Sequence, residues 1–402
     1  MKPTHLARAV TLSFERFVQS EKSAGIVLLF CTAVSLVIAN SALGPQYLAS
    51  WHVSLGGLSL ELWINDGLMA IFFLLIGLEL ERELYSGELS NFKNALLPIV
   101  AALGGTIVPA GIHFAFNHGT SSQAGIGIPM ATDIAFALGA LALLGARIPA
   151  ALKVFVVAFA VIDDLCAIIV IALFYTQQLH WHYLLGALSI WLILIYLNRR
   201  LRIMALSPYL IGGAAMWVCM LLSGVHATIA GVMLAFAIPY SAKDEDSSSP
   251  SHRLEHSLHK PVAFMILPIF ALANTAIVIG PDWAAQLNSV NSIGVMAGLV
   301  LGKPLGITLF CLLAVSLKIC RLPAELQWRH LIGAAMLGGI GFTMSIFITN
   351  LAFDGQAELI NASKMAILLA SFCAGLAGLV WLGFTTASSD HSGSIETSEK
   401  NS

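Results

Sequence analysis

Long apolar segments recur along the whole chain and leave few folds open to it. About twelve of them are long enough to cross the roughly 30 Å of hydrocarbon in a bilayer. They lie at residues 24–40, 62–84, 95–117, 124–145, 150–175, 182–200, 206–221, 223–240, 258–280, 291–317, 328–350 and 359–384. Of the 402 residues, 58% are apolar and only 10% are charged, whereas about a quarter of the residues in a soluble domain are charged. The sequence therefore predicts an all-α membrane protein with about twelve transmembrane helices.

The basic residues set the predicted orientation of these spans. Of the 20 Lys and Arg, all but Lys303 and Lys364 fall in the terminal segments, in loops or at span ends that twelve spans would place on one side of the membrane. Such residues concentrate on the cytoplasmic side, so both termini are predicted to be cytoplasmic. Residues 1–23 lack the short apolar core and cleavage site of a removable signal peptide. The dispersed basic residues and the net charge of -2 give no indication of nucleic-acid binding.

A single transmembrane domain is expected to account for nearly the whole chain. We place it at residues 1–386 and expect a polar, disordered cytoplasmic tail at 387–402. The acidic, Ser-rich loop at 243–250 is expected to be flexible as well. The six cysteines lie singly, a spacing that indicates neither a disulfide framework nor a metal site. No cofactor and no enzymatic activity are expected.

The first predicted outer loop carries a short β pattern. Apolar and polar residues alternate along Val53–Leu60 on both sides of a Gly-Gly pair, a pattern typical of a tight hairpin. An isolated hairpin is only marginally stable in water, and a second copy of the chain would supply a partner strand. We therefore predict a homodimer through this hairpin, with a loop of no further role as the alternative.

Three aspartates lie within the fourth and fifth predicted spans. Asp133 follows the sequence Gly-Ile-Pro-Met-Ala-Thr, and Asp163 and Asp164 follow Val-Ile in the next span. A carboxylate at the bilayer centre costs about 2.5 to 3.5 kcal/mol on insertion scales, and it normally faces a cavity, binds a partner or takes up a proton. Asp163 and Asp164 are adjacent, about 100° apart on a helix, so they should have different roles. We predict the functional site at these three residues.

Two of the predicted spans show signs of an interrupted helix. In the fourth, Pro129 removes a backbone donor just ahead of Thr132 and Asp133. In the eleventh, residues 338–343 read Gly-Gly-Ile-Gly-Phe-Thr. Interrupted helices in corresponding halves of a chain are typical of inverted-repeat transporters, whose ion sites lie at the exposed helix ends. Close packing between helices is the alternative for the second, Gly-rich segment.

Lys303 lies deep inside the tenth predicted span, where a lysine needs an acidic partner or has to lose its proton. The alternative, extension of its side chain to the surface, suits a position nearer a helix end. Three acids and one base in the hydrocarbon allow sodium and protons to bind in turn. Sodium is a hard cation that prefers oxygen ligands, which the carboxylates, the Thr132 hydroxyl and unwound backbone carbonyls provide. Competition between the two ions at an alternating-access site is antiport, and cytoplasmic pH would then set the occupancy.

Eight short segments form a set of motifs in order over nearly the whole chain. They are Leu62–Ala70 (LWINDGLMA), Phe72–Glu79 (FFLLIGLE), Ala131–Ala137 (ATDIAFA), Ile162–Asp164 (IDD), Ser223–Thr228 (SGVHAT), Leu254–His256 (LEH), Gly302–Gly306 (GKPLG) and Gly341–Ile346 (GFTMSI). Together they resemble the NhaA family of sodium/proton antiporters. The resemblance implies electrogenic, pH-regulated exchange of cytoplasmic sodium, and of lithium, for external protons across the bacterial inner membrane, in contact with membrane lipid.

The resemblance also implies roles for the buried charged residues. Asp163 and Asp164 would carry sodium and protons, and Lys303 would pair with Asp163 in a contact that opens and re-forms as ions exchange. Asp133 would offset the positive N-termini, and Lys303 the negative C-termini, of helix ends that meet where the interrupted helices four and eleven cross. More protons than sodium ions would move per cycle.

A further set of residues matches positions that the family places at a cytoplasmic funnel, where they would sense pH. They are Glu79, Arg82, Glu83, Glu255, His256 and His259. Histidine titrates in the useful range, and a solvated face near a loop is the alternative for each residue taken singly. Glu81 departs from the family pattern because this position is commonly basic, so the pH threshold of the family is not carried over.

Two other functions are compatible with acids in the membrane. An intramembrane aspartyl protease would use two aspartates on neighbouring spans, but its Gly-x-Gly-Asp and Tyr-Asp motifs do not occur and Lys303 would go unexplained. A sodium-coupled symporter would need a pocket for an organic substrate, and substrate-dependent sodium uptake would distinguish it from an antiporter.

Overall fold

The computed structural model describes residues 23–176, 179–241 and 249–399, which are mostly helical. Within these residues, 7 helices are long and apolar enough to cross a membrane, or up to 10 if each of 3 bent helix pairs is one span. The predicted helical membrane fold is confirmed, whereas the count of twelve spans stays a prediction. The segment at 1–22, for which no signal peptide is predicted, and residues 243–248 of the predicted flexible loop lie outside the described residues.

The described part of the chain contains fifteen α-helices, one two-stranded hairpin and shorter helical turns. The helices are α1 Ser23–Ala39, α2 Gly44–Trp51, α3 Leu60–Tyr85, α4 Phe92–Asn117, α5 Ile134–Leu143, α6 Ala150–Phe174, α7 Trp181–Arg199, α8 Ser207–Ser223, α9 Ile229–Ala235, α10 Pro250–Asn274, α11 Trp283–Leu287, α12 Val290–Ser316, α13 Trp328–Gly338, α14 Phe342–Ala352 and α15 Ala357–Glu399. A 3₁₀ helix, Ser121–Met130, precedes α5, and the strands β1 Ser54–Leu55 and β2 Leu58–Ser59 lie between α2 and α3.

The eighth predicted span, 223–240, is much shorter as a helix than its hydropathy indicates, whereas the seventh, 206–221, matches its helix closely. Helix α8 has 17 residues and α9 has 7. After α8 the chain turns at Gly224, whose φ of 82° lies in the left-handed region that glycine adopts most readily. Residues 223–240 are mostly apolar, so their hydropathy does not reveal this turn.

The predicted hairpin is confirmed. Strands β1 and β2 pair antiparallel, with Leu55 opposite Leu58. The two turn residues, Gly56 and Gly57, have φ values of 64° and 92°, which explains why glycine occupies both positions. The Trp63 indole N–H donates to the carbonyl oxygen of Leu55 over 2.8 Å and so holds the hairpin against the start of α3.

Both predicted helix interruptions are present. The 3₁₀ helix and α5 are bent by 42° relative to each other, and α13 and α14 by 43°. The backbone N–H of Asp133, in the first break, donates to the carbonyl oxygen of Ile340, in the second, over 2.6 Å. The two breaks therefore lie against each other, and four helix ends meet at one place in the interior.

Helices α4 and α12 approach closely enough for their backbones to touch. A Cβ atom added to Gly104 would lie 2.3 Å from the backbone oxygen of Gly306. Small residues at such contacts let transmembrane helices approach each other. This approach holds Thr106 of α4 and Lys303 of α12 near the same point of α6, where both contact Asp163.

The last helix, α15, continues from Ala357 to Glu399. It therefore runs past the predicted domain boundary at residue 386 without a helix end there. The remaining residues of the predicted disordered tail, 400–402, lie outside the described part of the chain. The assignment of this tail stays a prediction.

Candidate ion-binding site

The acidic pair lies in the middle of α6. Asp163 and Asp164 are each 1% exposed, although both carry ionisable side chains. Helix α6 is regular from Ala150 to Phe174, so adjacent side chains leave it in different directions. The two carboxylates consequently meet different surroundings.

Asp163 forms a buried ion pair with Lys303. Lys303 Nζ donates to Asp163 Oδ2 over 2.7 Å, and both side chains are 0% exposed. The Thr106 hydroxyl donates to the other carboxylate oxygen over a longer 3.4 Å. Removing one member of a buried ion pair leaves an uncompensated charge, so the two residues depend on each other for their stability in the interior.

Asp164 has no comparable partner. Its Oδ1 oxygen is buried and accepts no hydrogen bond in the described part of the chain. A carboxylate removed from water without compensating contacts carries a large free-energy penalty. A bound proton or a bound cation would supply the missing compensation. The two neighbouring aspartates therefore differ, as the spacing predicts: one is paired and the other lacks a partner at one oxygen.

Asp133 caps two helix N-termini at once. Its Oδ1 accepts the N–H of Phe136 over 3.1 Å within α5, and its Oδ2 accepts the N–H of Thr343 over 3.1 Å at the start of α14. The Thr343 hydroxyl also donates to Oδ2. The N-terminus of a helix carries a partial positive charge, so one carboxylate offsets two of them.

The C-terminal ends of the other two helices meet different donors. Lys303 Nζ donates to the carbonyl oxygen of Met130, the last residue of the 3₁₀ helix. The Thr132 hydroxyl donates to the carbonyl oxygen of Gly338, the last residue of α13, over 2.9 Å. Free carbonyls at a helix end carry partial negative charge. The lysine thus compensates one of the two C-terminal ends, and the Thr132 hydroxyl is bonded to the other.

Two contacts of this site involve residues that sequence reasoning assigned no role. Thr106 reaches Asp163 from α4, and Thr343 reaches Asp133 from α14. A threonine inside a Gly-Gly-Thr or Gly-Phe-Thr stretch of an apolar span is a weak signal, because threonine also bonds to the backbone of its own helix. Their importance follows only from the approach of separate helices.

The three aspartates do not converge on one point. Among the described residues there is no group of three or more His, Cys, Asp or Glu side chains arranged to hold a metal ion. A cation at this site would therefore take its other ligands from hydroxyl or backbone carbonyl oxygens. The interrupted helices place such oxygens nearby.

The predicted pH-sensing residues lie where α3 ends and α10 begins. Arg82 is 2.7 Å from Glu255 and 3.2 Å from Glu83, and His259 Nε2 is 3.2 Å from Glu79 Oε1. These contacts join α3 to α10. The group contains three carboxylates and one arginine. The structure brings together five of the six residues.

Two further residues complete the description of this end. His256 is exposed and forms no ion pair within the described residues. Glu81, whose carboxylate occupies a position commonly basic in the family, is buried and accepts the Ser251 hydroxyl over 3.1 Å. The Ser251 hydroxyl on α10 therefore gives the buried Glu81 carboxylate on α3 a hydrogen-bond donor.

Comparison with known proteins gives matches over most of the chain. Residues 15–382 match the family described as Na+/H+ antiporter 1. The Na+/H+ antiporter NhaA of Dechloromonas aromatica is 65% identical over 372 residues, which cover 92% of this chain and 96% of that protein. The Na+/H+ antiporter NhaA of Cytophaga hutchinsonii is 61% identical, with 94% and 96% covered, and that of Helicobacter pylori strain G27 is 45% identical, with 95% and 97% covered. The chain belongs to the NhaA family of Na+/H+ antiporters, which are transporters rather than enzymes.

Proposed function

We propose that this chain is a secondary active transporter that exchanges sodium ions for protons, with Asp163 and Asp164 as the carriers of both ions. The observation that carries the proposal is the buried Asp164 oxygen without a partner, next to an ion-paired Asp163. Either a proton or a cation stabilises such an oxygen, and the two compete for it. The relatives named as Na+/H+ antiporters support the same two ions.

The ion pair with Lys303 provides the second half of the exchange. When sodium enters, Asp163 turns from the lysine to the cation, and when sodium leaves, the pair forms again. If both aspartates carry a proton in one half of the cycle and share one sodium ion in the other, two charges move one way and one moves back. The exchange is then electrogenic, and the membrane potential drives it at about 2.3 kcal/mol per charge for each 100 mV.

The crossing helices hold the remaining parts of the site. Thr132 supplies a hydroxyl oxygen beside the aspartates, and the backbone carbonyls freed at the two breaks supply others. Asp133 already accepts bonds from two helix N-termini, so its contribution to the ion site is its negative charge. Lys303 and Asp133 also compensate the charges of the helix ends when the site is empty.

The contacts between α3 and α10 support regulation by cytoplasmic pH. Glu79, Arg82, Glu83, Glu255 and His259 form a connected group across the two helices. Protonation of the carboxylates changes which pairs form and therefore how tightly the helices are joined. His256, on the exposed face of the same helix, would take part only through its charge.

The distribution of basic residues supports a location in the bacterial inner membrane with both termini in the cytoplasm. In that orientation the group at the end of α3 faces the cytoplasm, and sodium leaves the cell as protons enter. Lithium, a hard cation of the same charge, fits the same oxygen ligands. We extend the proposal to lithium on that ground.

The hairpin supports a homodimer. Its strands have only 2 residues each, and the side chain of Leu55 is 63% exposed. An edge strand carries unpaired backbone groups, which a second hairpin would satisfy. Gly56→Val, which strains the left-handed turn, should convert a dimer to a monomer in native mass spectrometry; a wild-type monomer would contradict the dimer.

Purified protein in liposomes with a trapped pH dye tests the exchange. Addition of external sodium should change the internal pH, the change should grow with an imposed membrane potential of the right sign, and it should vanish in Asp163→Asn and Asp164→Asn. A folded wild-type protein that shows no response would contradict antiport. Sodium uptake that required an organic solute would indicate symport instead.

A further inference from the structure

Three asparagines join the half-helix α14 to two helices that carry none of the aspartates of the ion site. Asn350 Nδ2 on α14 donates to Asn274 Oδ1 on α10 over 2.5 Å. Asn274 Nδ2 donates in turn to Asn65 Oδ1 on α3 over 2.7 Å. Asn274 is 1% exposed, whereas Asn65 and Asn350 are half-buried. The two outer members of this chain are therefore partly exposed at the protein surface, and the middle one is not.

An aromatic layer links the same three helices closer to the ion site. The ring of Phe347 on α14 lies 5.5 Å from that of Phe73 on α3 and 6.4 Å from that of Phe270 on α10, between ring centroids. All three rings are buried. The three asparagines thus form a polar layer beside the aromatic layer, on the side away from the ion site. Neither layer contains a charged residue.

The position of α14 shows what these layers separate. Its first turn binds the Asp133 carboxylate, and its last turn carries Asn350. Both layers therefore lie between the ion site and the end of the molecule where α3 begins beside the hairpin, which we call the hairpin end. At the opposite end, His259 and Arg82 are partly exposed.

We propose that the Asn65–Asn274–Asn350 chain is a latch that keeps the ion path closed at the hairpin end and opens once in each transport cycle. This inference rests on the proposed antiport. The ion site belongs to α4, α5, α6, α12 and α14, so opening toward the hairpin end requires α14 to separate from α3 and α10. Phe347 leaves the aromatic layer in the same movement.

The chemistry of the amide suits a latch on a cation path. Bonds between neutral amides are broken at modest cost when water can replace the lost partner, and two of the three asparagines are only half-buried. A carboxylate here would retain the departing sodium ion, and an ammonium group would repel it. A neutral amide does neither.

A cross-link across the latch tests the proposal. Asn274→Cys and Asn350→Cys are combined in a variant whose six native cysteines are replaced by alanine, and the new thiols are joined with a short bis-methanethiosulfonate reagent. We expect sodium/proton exchange in liposomes to fall to background and to return on reduction. Exchange that continues in fully cross-linked protein would overturn the latch while leaving the antiport intact.

Labelling supplies a readout that is independent of exchange. Ser345 is buried one turn deeper on α14, where its hydroxyl donates to the carbonyl oxygen of Ile128 over 2.7 Å. With Ser345→Cys in the same cysteine-free variant, Asn350→Ala should speed the reaction with an impermeant thiol reagent added at the hairpin end by about fivefold, the population shift expected for one lost hydrogen bond.

The matched control is Asn288→Ala, which removes an exposed amide whose bond stays within its own turn, to Ala284. Equal labelling rates with Asn350→Ala and Asn288→Ala would overturn the latch. If the cysteine-free parent itself shows no exchange but wild-type protein does, the labelling comparison decides the question alone. If wild-type protein shows none, the proposed antiport fails, and the labelling rates still report whether the layer opens.

Discussion

Lys303 Nζ lies 2.7 Å from Asp163 Oδ2 with both side chains fully excluded from solvent, whereas the adjacent Asp164 has an oxygen with no partner in the described residues. Two adjacent carboxylates on α6 therefore have different electrostatic surroundings: Asp163 is ion-paired and Asp164 is not. Asp163 is stable because a cation of the protein compensates it. A proton or an external cation would compensate Asp164, and we propose Asp164 as the first of the two to exchange ions.

Loss of the lysine should destabilise the protein. Lys303→Ala leaves Asp163 buried without its countercharge, and breaking a buried pair costs about 3–5 kcal/mol. We expect a clearly lower melting temperature in detergent. Lys93→Ala, at an exposed position, is the control and should melt as wild type. Adding Asp163→Asn to Lys303→Ala should restore part of the loss; equal melting of Lys303→Ala and wild type would contradict the pairing.

The two aspartates should respond differently to neutralisation. Asp163→Asn and Asp164→Asn should both abolish sodium-driven pH changes in liposomes. Only Asp163→Asn should lower the melting temperature, because it also leaves the Lys303 ammonium without its acid. Asp164→Asn removes a charge with an uncompensated oxygen and should melt at or above the wild-type temperature. If Asp164→Asn lowered the melting temperature and Asp163→Asn did not, the assignment of the ion pair to Asp163 would be wrong.

Asp133 should stabilise both half-helices that it caps. Asp133→Ala removes the acceptor for Phe136 and Thr343, and we expect a loss of about 1–3 kcal/mol in the free energy of unfolding. Thr343→Val should lose less, because the backbone N–H bond remains. A double-mutant cycle measures their coupling. Strictly additive losses would mean that the Thr343 hydroxyl contributes nothing through Asp133.

The two candidate sensor histidines should differ in their effect on pH dependence. The His259 ring lies 3.2 Å from the Glu79 carboxylate and so ties α10 to α3, which restrains the junction between the two helices. His259→Gln should therefore move the onset of exchange to lower pH. His256→Gln is the matched control on the exposed face of the same helix and should shift the onset less. Liposome exchange measured from pH 6 to pH 9 compares them; a larger shift for His256→Gln would exclude the Glu79 contact as the cause.

Much of the fold could be read along the chain because hydrocarbon permits few backbone structures. The apolar segments predict helices, Pro129 and the glycines at 338 and 339 predict the two breaks, and Gly56-Gly57 predicts the hairpin turn. Hydropathy predicts helix ends least well where apolar sequence continues through a turn. After Gly224 the residues remain apolar, but the helix α9 is only 7 residues long.

The sequence by itself determined which residues are costly to bury: three aspartates and one lysine within apolar spans must find partners, because hydrocarbon does not solvate charge. Only the tertiary structure decided which partner each one has. Asp163 pairs with Lys303 because Gly104 and Gly306 let α4 and α12 touch beside α6. Asp133 caps two helix N-termini because the two interrupted helices cross at their breaks. These contacts join residues far apart in the chain, so no local pattern encodes them.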